Sequence, residues 1–218
     1  METIFVFKVS IVVLPKILTV ENPRDKIVQR ASDLFLRLGF KSITMDDIAA
    51  DMGISKKTIY KYFENKELLI EASTDFVQIK VSEALEEILS QNHNPVQENF
   101  EIRRMFDALF QTAQTSPLYQ LKKHYPEIHA KVMDCQNREC NRFIRANIEK
   151  GIAQGYYRSD INVELNMRFY YMLIFSINEN TILEQDTRDM ELSALEYHTR
   201  ALATPKGLAE LEKHLSNT

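Results

Sequence analysis

A chain of 218 residues, 44% of them hydrophobic, is long enough to bury a substantial core in one or two domains. Its two cysteines, Cys135 and Cys140, exclude a disulfide scaffold, and a net charge of −4 carries no overall basic signature of a nucleic-acid binder. The charge is unevenly spread, however: Val20 to Lys66 holds nine Lys and Arg against seven Asp and Glu, and Glu67 onward holds sixteen against twenty-three. That is a mildly basic head on an acidic body, an arrangement in which one end faces phosphates. The chain opens on an apolar run, Met1 to Thr19, interrupted by Lys8, Pro15 and Lys16. The run falls short of a membrane span and lacks the basic start and small-residue cleavage site of a signal peptide. Residues 1–21 therefore read as an atypical extension. Either the translation start is assigned too early, with Val20 the natural first residue, or a β-branched arm packs on the head.

Asn22-Pro23-Arg24-Asp25 is a helix entry, with a capping side chain, proline in the first turn and an acid beyond it. Ile27, Ala31, Leu34, Phe35 and Leu38 then recur on one face of a scaffold helix. From Thr44 to Lys66 the spacing predicts a helix-turn-helix. Thr44 caps the first helix with Asp47 completing a variant capping box, Gly53 supplies the positive φ of the turn, and Ser55 caps the second helix. That second helix, expected over Lys56 to Phe63, buries Ile59 and Phe63 and turns Lys56, Lys57, Tyr60 and Lys61 outward. A short helix with a cationic, hydroxyl-bearing outer face suits a phosphate-lined groove. Lys56 and Lys57 are placed to reach base edges, and Tyr60 and Lys61 to touch bases or the flanking backbone.

The run from Ala49 to Leu68 fits A-x-x-x-G-[IV]-S-x-x-[TS]-[IL]-Y-x-[YH]-F-x-[NS]-K-E-x-L without a gap, and in this it resembles the tetracycline-repressor (TetR) family of bacterial transcription regulators. The motif-level resemblance runs from about Arg24 to Ile70; beyond that only the layout is similar. It implies an all-α protein, with a three-helix DNA-binding head over 22–68 and a helical ligand-binding and dimerisation body over 69–218. It also implies phosphate contacts from Thr44, Thr58, Tyr62 and Lys66, and places Ser55 in the same interface.

Asn65 caps a long helix that runs without a breaker to Gln91, either a lever from head to body or simply a long connection. Further helices are expected from Val96 to Thr115, Leu118 to His124, Ile128 to Gln154, Val163 to Leu183, Met190 to Ala201 and Gly207 to Leu215. Pro23, Pro95, Pro117, Pro126 and Pro205 read as starts, and Gly39, Gly53 and Gly155 as stops. Val163–Leu183 is apolar all round, which predicts burial on more than one side. The resemblance puts the dimer interface on Val163–Leu183 and Met190–Leu202, while ordinary core would use the same residues.

No phosphate loop, nucleotide fingerprint, nucleophile elbow or zinc helix is present, so no enzyme, metal or cofactor is expected. His93, His124, His129, His198 and His214 are scattered, and Cys135 and Cys140 point about 140° apart on one helix, which disfavours their pairing. Reduced thiols are the plain reading of these two cysteines, a redox sensor the sharper one. Met105, Phe106, Phe110, Tyr119, Tyr125, Met133, Phe143 and Tyr170, with His124 and Tyr171, are candidates to line an effector pocket, though such residues at helical spacing also make plain core. The expected function is a cytoplasmic, nucleoid-associated homodimeric repressor that binds a palindromic operator on double-stranded DNA, answers to a small-molecule effector and does not engage a membrane. An activator, a DNA-organising protein without inducer and an all-α interaction protein are the alternatives.

Overall fold

The computed structural model describes residues 22–216, ten α-helices among them. The expectations for residues 1–21 lie outside the described residues. Helix α1, Pro23–Leu38, begins where Asn22 accepts a hydrogen bond from the Asp25 N–H at 3.0 Å. It buries Ile27, Ala31, Leu34 and Phe35 of the expected face, while Leu38 is turned out. Helices α2, Met45–Met52, and α3, Lys56–Tyr60, are joined through Gly53 at φ 64°, a left-handed conformation in which any Cβ is strained. The capping box of Thr44 and Asp47 is closed in both directions. Helix α3 stops short of the expected Phe63: the N–H groups of Tyr62 and Phe63 both donate to the Ile59 carbonyl, a tightened turn that drops Phe63 into the core. Helix α4, Lys66–Ser90, is capped by Asn65 and lies along α1 before entering the body.

The body comprises α5 (Pro95–Phe110), α6 (Pro117–His124), α7 (Pro126–Ala153), α8 (Val163–Asn180), α9 (Glu184–Leu202) and α10 (Pro205–Leu215). Each of the five named prolines stands in the first turn of a helix, where its missing N–H costs nothing. Helix α5 ends at Phe110 rather than at Thr115, because residues 111–116 are recruited by the α8–α9 connection. Thr115 bridges Leu183, the Ser116 N–H donates to the Ile182 carbonyl at 3.0 Å, and the Glu184 N–H donates to the Gln114 carbonyl at 3.2 Å. The same pairing ends α8 at Asn180 and starts α9 six residues before the expected Met190.

Within the single chain, α8 is buried on one side and open on another, the side that burial against a second subunit would use. Only Met167 and Ile177 are buried in the single chain, and Leu165, Phe169, Met172 and Leu173 stand 47%, 63%, 66% and 37% exposed on one stripe. Met190 and Tyr197 of α9 are also exposed.

Two cores organise the rest. The first belongs to the head but takes in Leu121 of α6 and Ile128 and Val132 of α7. The second lies at the far end of the body around Phe100, Ile148, Tyr157, Leu195, Leu202 and Leu211. Beside it, buried Asn147 donates to Glu98 Oε1 at 2.8 Å and to the Pro95 carbonyl at 2.9 Å, and accepts from the Tyr157 hydroxyl at 3.3 Å. Lys150 completes the group on Glu98 Oε2 at 2.5 Å.

Gly151 in α7 gives room for the Tyr157 ring, because a Cβ there would lie 1.9 Å from its Cδ2. The hydroxyl bond prevents the ring from stepping aside. Gly151→Ala is expected to lower stability by about 1–3 kcal/mol through overpacking, read as a lower urea midpoint at unchanged slope.

Candidate nucleic-acid interface and body cavity

Helix α3 presents the expected face. Ile59 and Phe63 are 0% and 3% exposed, fixing the helix onto α1 and α2, and Lys56, Lys57, Tyr60 and Lys61 all project outward. Ser55 accepts from the Thr58 N–H at 3.1 Å, and the two hydroxyls lie 2.8 Å apart, so both belong to the cap. The Thr44 hydroxyl and N–H donate to Asp47 at 2.7 and 2.8 Å, and that pair of bonds holds the Asp47 carboxyl below the usual carboxylate range. Arg30 of α1 pairs with Asp51 of α2 and with Asp33, pinning the first helix of the motif to its scaffold.

The cations are not equivalent. Lys57 has no ion-pair partner among the described residues and is exposed. Lys56 pairs with Asp46 at 2.8 Å and lies 5.7 Å over the Tyr60 ring, and the bond to Asp46 raises its pKa. Lys61 lies 5.6 Å over the half-buried Tyr62 ring, an arrangement that stiffens both side chains. Lys66, expected at a phosphate, is half-buried and already holds a partner. Its ammonium donates to the Lys41 carbonyl at 3.1 Å and sits 6.0 Å from the Phe35 ring, and burial lowers its pKa. The reason is local: the α1–α2 connection leaves the Lys41 carbonyl without a helical partner, and Lys66 at the start of α4 supplies the donor.

Behind the head lies a cavity of about 270 Å³. Its wall is shared between head and body. Ser32, Leu36 and Phe40 come from α1 and the residues that follow it. Thr74, Val77, Gln78, Val81 and Leu85 form one stripe of α4 at i, i+3, i+4, i+7 and i+11. Leu118 and Leu121 of α6, Val132, Cys135 and Phe143 of α7, and Tyr170, Tyr171, Ile174 and Phe175 of α8 close it. Of the candidate pocket residues, Phe106, Phe110, Phe143, Tyr170 and Tyr171 line the cavity, whereas Met105, Tyr119, Tyr125, Met133 and His124 do not. Tyr125 packs on the head core, its hydroxyl donating to the Phe40 carbonyl at 3.4 Å, and Lys123 lies over the Tyr119 ring.

Sequence reasoning missed the α4 stripe and the polar wall. The stripe had a helical period, but its Thr and Gln members hid it from a search for aromatic residues. Four lining residues, Ser73, Gln78, Gln136 and Glu184, carry an enclosed polar atom that meets no hydrogen-bond partner among the described residues. Burial in particular, with the Glu191 charge second, pushes the Glu184 carboxyl up to about 7. Cys135 and Cys140 both line the cavity, and burial raises the Cys140 thiol to about 12. That is the opposite of what a redox-sensing thiolate needs. His198 is a core residue stacked on Tyr170 at 4.1 Å, lowered by burial to about 4.

Among the described residues, no group of three or more His, Cys, Asp or Glu is placed to hold a metal, and no helix is long and apolar enough to cross a membrane.

Comparisons with known proteins bear on the fold and on the head. Residues 27–73 match the model of bacterial regulatory proteins of the tetR family. The HTH-type transcriptional repressor KstR2 of Mycolicibacterium smegmatis is 26% identical over 153 residues, covering 67% of this chain and 73% of that protein. IcaR of Staphylococcus aureus, the negative transcriptional regulator of the biofilm operon icaADBC, is 23% identical over 146 residues, covering 64% of this chain and 73% of its own. A transcriptional regulator from Cytophaga hutchinsonii shares the fold at TM-score 0.66 with 19% identity, over 83% of this chain and 98% of that one.

Two outcomes follow from these environments. Lys57→Ala is expected to relax base preference on operator DNA and to weaken specific binding by about 1–3 kcal/mol. Lys66→Ala should leave base preference unchanged and cost about 1 kcal/mol of stability, because its ammonium bonds the Lys41 carbonyl. DNA titrations, paired with urea unfolding, separate the two. For Glu184 the raised pKa means that the folded chain holds a proton the unfolded chain loses from its ordinary 4.5, so its contribution to stability falls as pH rises from 4.5 to about 7. Glu184→Gln is expected to flatten that part of a stability–pH profile measured by thermal unfolding.

Proposed function

Because the chain belongs to the TetR family and is a DNA-binding transcriptional regulator, we propose that it is a dimeric repressor whose grip on a palindromic operator is released by a small molecule held in the body cavity. The observation that carries this reading is the shared wall. A molecule filling the cavity would touch Leu36 and Phe40 of the head together with Thr74, Val77 and Gln78 of α4, the helix that runs from head to body. It could therefore favour one head position over another by differential contact, which is what a ligand-driven population shift requires.

The α3 face supports the DNA end of the proposal. Lys56 and Lys57 are placed for base edges, with Tyr60, Lys61, Tyr62, Thr44, Ser55 and Thr58 around them for the backbone. The exposed stripe Leu165–Phe169–Met172–Leu173, extended by Met190 and Tyr197, supports pairing of two copies through α8 and α9. Two heads so joined would enter successive major grooves about 34 Å apart. A regulator of this kind acts in the cytoplasm, on the nucleoid.

Fluorescence-anisotropy titration against DNA from upstream of its own gene, with random DNA and a salt series as controls, tests the reading. Tight binding to the upstream DNA, two subunits per palindrome and steep weakening with salt are expected. Equal, weak binding to both DNAs, or a single subunit bound at saturation, would overturn it.

A further inference from the structure

The end of the cavity between α5 and α9 differs from the rest. Most of the wall is apolar, but here Arg103 and Asp107 of α5 meet Glu184, Arg188 and Glu191 of α9. The two arginines are already engaged. Arg103 pairs with Asp107 at 3.3 Å and donates to the Arg188 carbonyl at 3.0 Å, and Arg188 donates to Gln185 at 2.9 Å. Glu191 accepts from Asn178 of α8 at 2.5 Å. Glu184 is left over. It is 4% exposed, its Oε2 is enclosed, and no donor among the described residues reaches that atom.

A buried carboxylate without a donor is costly, and a cavity wall is where a ligand can supply one. The balance of charge at this end, three carboxylates against two committed guanidiniums, disfavours an anion and favours a cation. Arg103, Asp107 and Arg188 also line a shallow depression on the outer surface, so this polar end lies next to solvent and the apolar end next to the head.

We infer that the cavity takes an amphiphile with an apolar body and a protonated amine, the amine bonded to Glu184 and the apolar body running toward Phe40 and α4. This rests on the reading of the cavity as the effector site. The raised pKa of Glu184 adds a signature. An ammonium bonds to the ionised carboxylate, so amine binding requires a proton to leave at a pH below about 7; burial above all holds that proton, Glu191 and Asp107 add to it, and Arg188 opposes it.

Decylamine, decanol and decanoate are the probes, titrated calorimetrically into the full chain and into Glu184→Gln. At about pH 8 decylamine is expected to bind at least about tenfold more tightly than decanoate, the scale of one charge-assisted hydrogen bond. Its affinity should drop about tenfold by about pH 6, as the ionised fraction of Glu184 falls, while decanol stays level. Glu184→Gln should abolish both the preference and the pH dependence. Decanol binding with no preference for the amine, or a preference that survives in Glu184→Gln, would overturn the inference and leave the cavity as an effector site. Failure of all three probes to bind would overturn the effector-site reading and the inference with it. Should Glu184→Gln fail to fold, the pH dependence of decylamine against decanol on the unaltered chain still decides.

Discussion

Helix α6 is the part on which head and body both depend. Its Leu121 is buried in the core of the head, and its Leu118 packs against that core while also lining the cavity. Gln120, between them, accepts from the Phe40 N–H at 3.0 Å and donates to the Thr115 carbonyl at 3.3 Å, so one side chain ties the end of the first head helix to the loop before α6. The approach is close. A Cβ on Gly39 would lie 2.8 Å from the Gln120 side-chain oxygen, and Gly39 at φ 94° has the backbone only glycine adopts easily. Packed interiors deform in steps rather than smoothly. A shift of α6 must either carry Phe40 with it or break the Gln120 bond, and in both cases the head feels it.

The two ends of the body are built to different standards of completeness. At the far end, Glu98, Asn147, Lys150 and Tyr157 satisfy one another around a core with no slack, as the clash at Gly151 shows. Around the cavity, polar atoms of Ser73, Gln78, Gln136 and, at its polar end, Glu184 are enclosed without partners among the described residues. A fully bonded network resists rearrangement, and an unbonded one gains from any molecule that completes it. The body thus has a fully bonded foundation at its far end and, around the cavity, polar atoms that a ligand could complete.

The head was legible in the sequence almost residue by residue, because its structure is dictated locally. Caps at Asn22, Thr44, Ser55 and Asn65 and the turn glycine at 53 each act within a few residues of their own position. What no local pattern reports is the partner of Lys66, a carbonyl 25 residues away at Lys41. The body was legible as helices and starts but not as a site. Its helix ends were decided by the pairing of Thr115 with Leu183, and its cavity by which faces of α1, α4 and α8 converge. Aromatic residues were a partial guide: Phe106, Phe110, Phe143 and Tyr170 do face the cavity, but Glu184, whose carboxylate marks its polar end, looked like ordinary charge in the first turn of a helix.

Helix α8 draws these parts together. Tyr170, Tyr171, Ile174, Phe175 and Asn178 face the cavity, and Leu165, Phe169, Met172 and Leu173 face out. The two sets interleave along one helix, so whatever covers the outer stripe stands one helix diameter from the cavity. If a second copy covers it, as proposed, α8 and α9 are held in place by the partner and yield least to a ligand. Movement then falls to the opposite wall, formed by α4, α6 and the end of α1, which are the elements that carry the head. Pairing and release are on this account one mechanical arrangement: the interface supplies the anvil against which a bound molecule displaces the reader.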